Sequence, residues 1–262
     1  MVLGCGAGLG YCAFGAGDGV MVWGMTLPTS FGQFWPSGDF EYDPVKQRSG
    51  WAGRLNIHYF QQSPEEQVRL GSGKIMLGDY GFYVNGKFWA ELGTCVGNKP
   101  PLLAVEPHEP PRSFDTEKNY TTLGSLIMLN DGILAVDEAL KTIIERLEPS
   151  MHQFYPTEIK MPKGKVYPQT YYTLVVGQYF DAFSPENTEI GSAFERSYGF
   201  FKPEPSKAGL NGLAVCKAAF GNAHLWRDPR LREELTCFSD ELKAQIDEAD
   251  LSIPNHHKLL EV

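Results

Sequence analysis

The chain has 262 residues, of which 42% are hydrophobic, enough apolar material for one large domain or two small ones with a real core. Its formal net charge of −9 argues against a general nucleic-acid binder, which needs a basic face to displace counterions. It contains no run of about 18 apolar residues, so the sequence offers no membrane-spanning helix.

Residues 1–24 differ from the rest, because Gly recurs almost every second residue, which makes helix costly and leaves little side chain to bury. The tract lacks the basic start and continuous apolar core of a signal peptide, and Asp18 interrupts it. A start at Met21 or Met25 is the first expectation, and a disordered tail the second. Gly8 to Ala13 fits a loose dinucleotide-loop spacing, but neither a strand before it nor an amphipathic helix after it supports that reading.

Residues 25–53 are rich in Gly, Pro and aromatic rings and suit an irregular, ring-pinned segment. Leu55 to Phe60 alternates as a strand does. Asn85-Gly86 is a preferred type I′ pair and predicts a hairpin joining Phe82–Val84 to Lys87–Ala90. Gly71 to Lys74 fails the spacing of a phosphate loop and reads as a turn. The proline-rich stretch 98–120 is the best internal boundary, although Leu102, Leu103 and Val105 are apolar enough to pack. The expected division is 1–24, a β-rich part at 25–114, and a part at 115–262 that packs alone or together with it.

Past residue 115 the patterning is clearer. Ser125 to Leu129 is apolar, and Asn130-Asp131-Gly132 predicts a turn. Residues 134–159 then give a strand end, a polar cap at Asp137, an acidic first turn, and a helix striped by Ala139, Leu140, Ile143, Ile144 and Leu147. Tyr171 to Phe180 predicts a central strand, with further short strands at Gly199–Lys202 and Leu213–Phe220. Near the end, Leu235 to Phe238 fits a strand and Ser239 a helix cap. Asp240 and Glu241 suit the positive end of the helix dipole, Leu242, Ile246 and Ala249 recur at helical spacing, Pro254 stops the helix, and Leu259 to Val262 reads as a last strand.

The final unit echoes the earlier one about a hundred residues upstream. Val136 falls on Phe238, Asp137 on Ser239, Glu138 on Asp240, Leu140 on Leu242, Lys141 on Lys243, Ile144 on Ile246 and Glu145 on Asp247, without a gap. Two related strand–cap–helix units are expected. With strands outnumbering helices and occurring in clusters, the fold class is α+β with mostly antiparallel sheet.

These two units, with Tyr171 to Ile190 between them, resemble the eleventh immunity-protein family of bacterial polymorphic toxin systems over residues 115–262. The resemblance implies an inhibitor that binds a cognate toxin, with no catalytic residue to carry over. Asp181, Ser184, Trp226, Arg227 and Ser239 match the family pattern, and the duty it implies for them is structural.

The chemistry-bearing residues point the same way. The six histidines, His58, His108, His152, His224, His256 and His257, fit no zinc spacing. Ser72, Ser125 and Ser192 lack the flanking glycines of a nucleophile elbow. Cys216 and Cys237 lie in apolar segments that suit inert thiols, and the five scattered cysteines suggest a reduced, cytoplasmic setting. No catalytic residue, cofactor or metal ion is expected, and neither nucleic acid nor membrane is an expected partner. The acidic cluster Asp247, Glu248 and Asp250 is the candidate partner-binding patch, alongside the plainer reading of a solvated helix face. The competing expectation is an enzyme of unrecognised type, such as a hydrolase working in a cleft between two lobes.

Overall fold

The structure, a computed structural model, describes residues 21–45, 48–71, 80–89, 104–197, 199–231 and 235–262. In chain order these begin with strands β1 (Val22–Thr26), β2 (Gly38–Phe40), β3 (Tyr42–Asp43) and β4 (Arg48–Ser49). Helices α1 (Gly50–Phe60), α2 (Pro64–Gly71) and α3 (Tyr80–Trp89) follow. Next come β5 (Ser113–Thr116), β6 (Leu126–Met128), β7 (Leu134–Asp137), α4 (Glu138–Leu147), β8 (Gln153–Met161), β9 (Lys165–Val166) and β10 (Tyr171–Val175). They continue with β11 (Ala193–Ser197), β12 (Phe200–Pro203), α5 (Lys207–Asn211), β13 (Ala214–Val215) and α6 (Lys217–Phe220). The last are β14 (Leu225–Arg227), β15 (Leu235–Ser239), α7 (Asp240–Glu248), β16 (His256–Lys258) and β17 (Leu260–Glu261). The class is α+β, and among the described ladders only β5–β8 and β13–β17 are parallel.

Two sheets share one plan. The larger has the order β2-β5-β8-β10-β7-β6, with β9 paired to β8, and the smaller has the order β14-β15-β1-β16. The run β6-β7-β10-β8 matches the smaller sheet partner for partner. Leu126 faces Val136 as Leu225 faces Phe238, and Tyr172 faces Val136 as Trp23 faces Phe238. On the next strand, Pro156 faces Tyr172 as Lys258 faces Trp23. The expected repeat is therefore present, and its offset holds through β8 and β16.

The third strand of each unit differs in origin. β10 is supplied from within its unit, whereas its counterpart β1 is supplied from more than two hundred residues upstream of β16. A ladder requires register and backbone hydrogen bonds rather than sequence proximity, so the two solutions are equivalent in space. Gly24 marks the fit, because a β-carbon there would stand 2.7 Å from Leu259 Cδ2.

Both helices lay their larger apolar side chains into one shared core, while Ala139 and Ala249, expected in the stripes, stay exposed. Leu140, Ile143 and Ile144 of α4 and Leu242 and Ile246 of α7 meet Met25, Val136, Leu174 and Phe238 from the two sheets. Each such side chain contributes roughly 1.5–3 kcal/mol on burial, far more than helix propensity could. A second core, around Trp51, Tyr80, Phe88, Phe114 and Tyr171, lies between α1, α3 and the larger sheet.

The structure corrects several local expectations, most of them in the first half. Asn85-Gly86 lies inside helix α3 and not at a hairpin turn. Tyr80, Tyr83, Val84, Lys87 and Phe88 are buried at helical spacing, and that shared burial outweighs the cost of about 1 kcal/mol for an interior Gly. Leu55 to Phe60 is the end of helix α1, with Trp51 and Leu55 buried four residues apart. Leu213 to Phe220 holds the short β13 and then α6. Cys216 is disulfide-bonded, where the scattered spacing suggests reduced thiols.

The expected division cuts through strands. Residue 24 lies within β1, and the 114/115 boundary lies within β5. Residues 1–20, 72–79 and 90–103, which carry the dinucleotide-like spacing, most of the Gly71–Lys74 turn and Leu102–Leu103, are outside the described residues.

Candidate functional site

The feature that the repeat builds outward is the pair of helices α4 and α7, packed against each other over the shared core. Each begins with a satisfied cap: Asp137 accepts from the Leu140 amide at 2.9 Å, and Ser239 Oγ from the Leu242 amide at 3.1 Å. These bonds satisfy amides of the first turn that have no partner inside the helix. Just inside each cap, an aromatic residue on the adjoining strand holds the first carboxylate. The Trp23 indole donates to Asp240 at 3.0 Å, and the Tyr172 hydroxyl donates to Glu138.

One turn further on, a lysine lies over each of those rings. Lys141 Nζ is 4.9 Å from the Tyr172 ring centre and Lys243 Nζ is 5.0 Å from that of Trp23. Each lysine also reaches the carboxylate four residues on, Glu145 at 2.9 Å and Asp247 respectively. Both ammonium groups are thus drawn down, with side-chain exposures of 18% and 13%, while the carboxylates of Glu145 and Asp247 stay 48% and 63% exposed. What faces solvent is mostly negative, with Arg146 the exposed cation of α4. Glu138, Glu145, Glu241, Asp247, Glu248 and Asp250 are all exposed.

Between the helices runs an open groove of about 620 Å³. Its lining includes Ala139, Thr142, Ile143 and Ala249, with Glu138 and Glu248 among its charged residues. Arg146 donates to Gln245 at 2.5 Å across it. Under the repeat, Ile143 corresponds to Gln245 and Arg146 to Glu248, so the helices meet at equivalent positions.

A buried carboxylate ties the two units together. Glu148, at the end of α4, accepts from His152 Nε2 at 2.7 Å, Gln178 at 2.5 Å, and the amides of His224 and Leu225 at 2.6 and 3.0 Å. Burial by itself would raise its pKa, but hydrogen bonds from His152, the His224 amide and Gln178 together hold it below the usual carboxylate range. Gly177 N donates to His152 Nδ1, which fixes the tautomer that donates from Nε2.

The residues singled out from sequence fall in two places. Asp247 and Glu248 are on the outer face of α7, and Asp250 follows it with a positive φ of 51°. Trp226 is fully buried and stacks on Phe220 at 4.5 Å, while the buried Arg227 bonds to Tyr179. Asp181 pairs with Arg230 at 2.6 Å, and Ser184 donates to Glu186 at 2.7 Å. Ser239 adds a 2.8 Å bond to His224 Nδ1 beside its cap. The buried Asp228 next to Arg227, overlooked in the sequence, accepts from the Ala182, Phe183 and Arg230 amides. The "HLWRD" run carried it, but no spacing rule assigns a partner to a lone Asp.

The group that most resembles reactive chemistry lies beneath α3. Lys87 donates to both oxygens of Glu109 at 2.6 and 2.8 Å, and Tyr80 donates to the same carboxylate at 2.5 Å. The Glu106 amide completes the set at 2.7 Å, and His108 Nε2 is 3.0 Å from the Tyr80 hydroxyl. Glu109 is fully buried and Lys87 nearly so, and their hydrogen bonds are made to each other, to the Tyr80 hydroxyl and to backbone. The arrangement is one that supports a buried ion pair. Among the described residues, no group of three His, Cys, Asp or Glu side chains is placed to hold a metal ion, and no helix is long and apolar enough to cross a membrane.

The model of the immunity protein family Imm11 matches residues 71–254, more than half of the chain. That span contains α4, α7 and the groove between them and leaves β1 outside. No curated protein matches the chain.

Proposed function

The chain belongs to the Imm11 immunity protein family, and from that premise we propose that it neutralises one cognate toxin by binding it and turns over no substrate. The observation that carries the reading is the family match, which spans α4, α7 and the strands that lead into them. The geometry supports it in a second way. The conspicuous repeated features, the caps, the apolar stripes and the lysine–ring stacks, build a rigid outward face rather than a reactive pocket. Asp247, Glu248 and Asp250 belong to that face and are the proposed contacts, through which a basic toxin surface would be drawn in at low salt.

The proposed setting is the cytoplasm of a bacterium that carries a polymorphic or contact-delivered toxin system, where an incoming toxin would meet its targets. The Cys216 disulfide is the feature that would suit an oxidising compartment instead, and cell fractionation decides between the two.

Co-expression with each candidate toxin domain found among the genes neighbouring this one, in a sensitive host, tests the reading. Rescue together with a co-purifying complex is the expected result. Absence of both, with a substrate found in activity screening, would support the enzyme reading, for which the Lys87–Glu109–Tyr80 cluster would be the place to look.

A further inference from the structure

The α4–α7 face carries a more specific assignment than an acidic patch, one that rests on the toxin-binding reading. We propose that it is a single docking surface with two quasi-equivalent halves, and that it receives a basic, lysine- or arginine-bearing segment of the toxin across the outer faces of α4 and α7, over the groove between them.

The equivalence is chemical as well as topological. Glu138, Tyr172, Lys141 and Glu145 stand in one half as Asp240, Trp23, Lys243 and Asp247 stand in the other, with the same hydrogen bond, the same cation–ring contact and the same ion pair. In both halves the cation is spent internally while the outer carboxylate keeps about half or more of its surface. The exposed carboxylates outnumber the cations of the face, which are the two drawn-down lysines and the exposed Arg146, so its potential is negative. A positively charged partner is the chemistry that this sign accepts, and a nucleic acid is the chemistry that it repels.

The shape narrows the occupant further. The floor between the helices includes Ala139 and Ala249, whose side chains end at the β-carbon and so let a partner approach the helices closely. The carboxylates are spread along the face instead of converging, and no set of three among the described residues could hold a metal ion. Spread negative charge over a shallow apolar floor suits a chain segment with cations at intervals, because each charge can stay hydrated at the rim while the apolar part is covered. A second copy of this chain would set like charge against like charge.

The test measures binding of the purified toxin domain that the co-expression screen identifies to the full chain and to two variant sets. In the first, Glu145→Lys, Asp247→Lys and Glu248→Lys reverse the face. In the second, Glu145→Gln, Asp247→Asn and Glu248→Gln neutralise it with little change of shape. Glu195→Lys on the exposed part of β11 is the control. The expected outcome is a fall in association rate of at least 100-fold for the reversal set and about 10-fold for the neutral set. Both should retain the thermal midpoint of the parent, and the control should be unchanged. Glu145→Lys and Asp247→Lys alone should cost similar amounts, as equivalent halves require. If the reversal set does not fold, the neutral set decides.

Parent-like binding by a folded variant set would overturn the assignment of this face and leave the toxin-binding reading standing. Failure of the unmodified chain to bind would overturn that reading itself. A parent that elutes as a dimer, and that the reversal set converts to a monomer, would overturn the basic-segment occupant in favour of a second copy.

Discussion

The indole of Trp23 donates to Asp240 at 3.0 Å, joining positions 217 residues apart. Tyr172 makes the same bond to Glu138 in the first unit. The two contacts show how the chain closes its second unit, by returning its first described strand to the middle of a sheet built from its last residues.

Removing that strand should therefore damage the C-terminal unit. A chain begun at Met21 keeps all of β1, whereas one begun at Met25 loses Val22, Trp23 and Gly24 and with them three ladder positions opposite β15. Val22 is fully buried. The expected loss for the shorter form is about 3–5 kcal/mol, from burial of two large side chains and broken ladder bonds. Chemical denaturation of the two forms measures it, and equal midpoints would contradict the role given to β1.

The caps allow a paired test. Asp137→Ala and Ser239→Ala should each destabilise by about 1 kcal/mol, the usual cost of losing an N-cap. Ser239→Ala should cost somewhat more, because His224 Nδ1 loses its partner as well. Thermal unfolding of both variants checks the order. A neutral Ser239→Ala would place the stability of α7 elsewhere.

Glu148 predicts a pH effect with a definite sign. Its folded pKa lies below the unfolded value, so ionised Glu148 contributes stability above the unfolded carboxylate value, near 4.5. That contribution is lost as pH falls through the depressed folded value. Glu148→Gln should flatten the acid limb of a stability–pH curve and cost roughly 2–4 kcal/mol at pH 7, because His152, Gln178 and two amides lose an ionised acceptor. An unchanged acid limb would show that other carboxylates control it.

Lys87 and Glu109 offer a test of structural against reactive duty. Lys87→Met alone should destabilise by roughly 3–5 kcal/mol, since it leaves Glu109 charged and buried. Lys87→Met with Glu109→Leu should recover most of that loss. If the double variant keeps stability and toxin neutralisation together, the cluster is a scaffold. Stability retained with neutralisation lost would give the cluster a functional part.

Cys237 is fully buried, and burial pushes its thiol well above the usual range. Alkylation with a maleimide should follow global unfolding and show no fast phase in the native protein. Rapid native labelling at Cys237, located by mass spectrometry, would mean that β15 opens on its own.

Read alone, the sequence determined the second half well. The caps at Asp137 and Ser239, the stripes Leu140/Ile144 and Leu242/Ile246, and the gapless match between them follow from helical spacing and local hydrogen bonding, which act within a few residues. The exposed carboxylates of α7 were legible for the same reason. The first half was not. Asn85-Gly86 has the local chemistry of a hairpin, and only contact with Trp51, Phe114 and Tyr171 gives Tyr80, Val84 and Phe88 a reason to share one helical face. The tertiary structure alone decided that β1 would complete the last unit and that α4 and α7 would flank one groove. Both depend on ladder register and burial between residues far apart in the chain, and neither leaves a periodic mark in any local stretch.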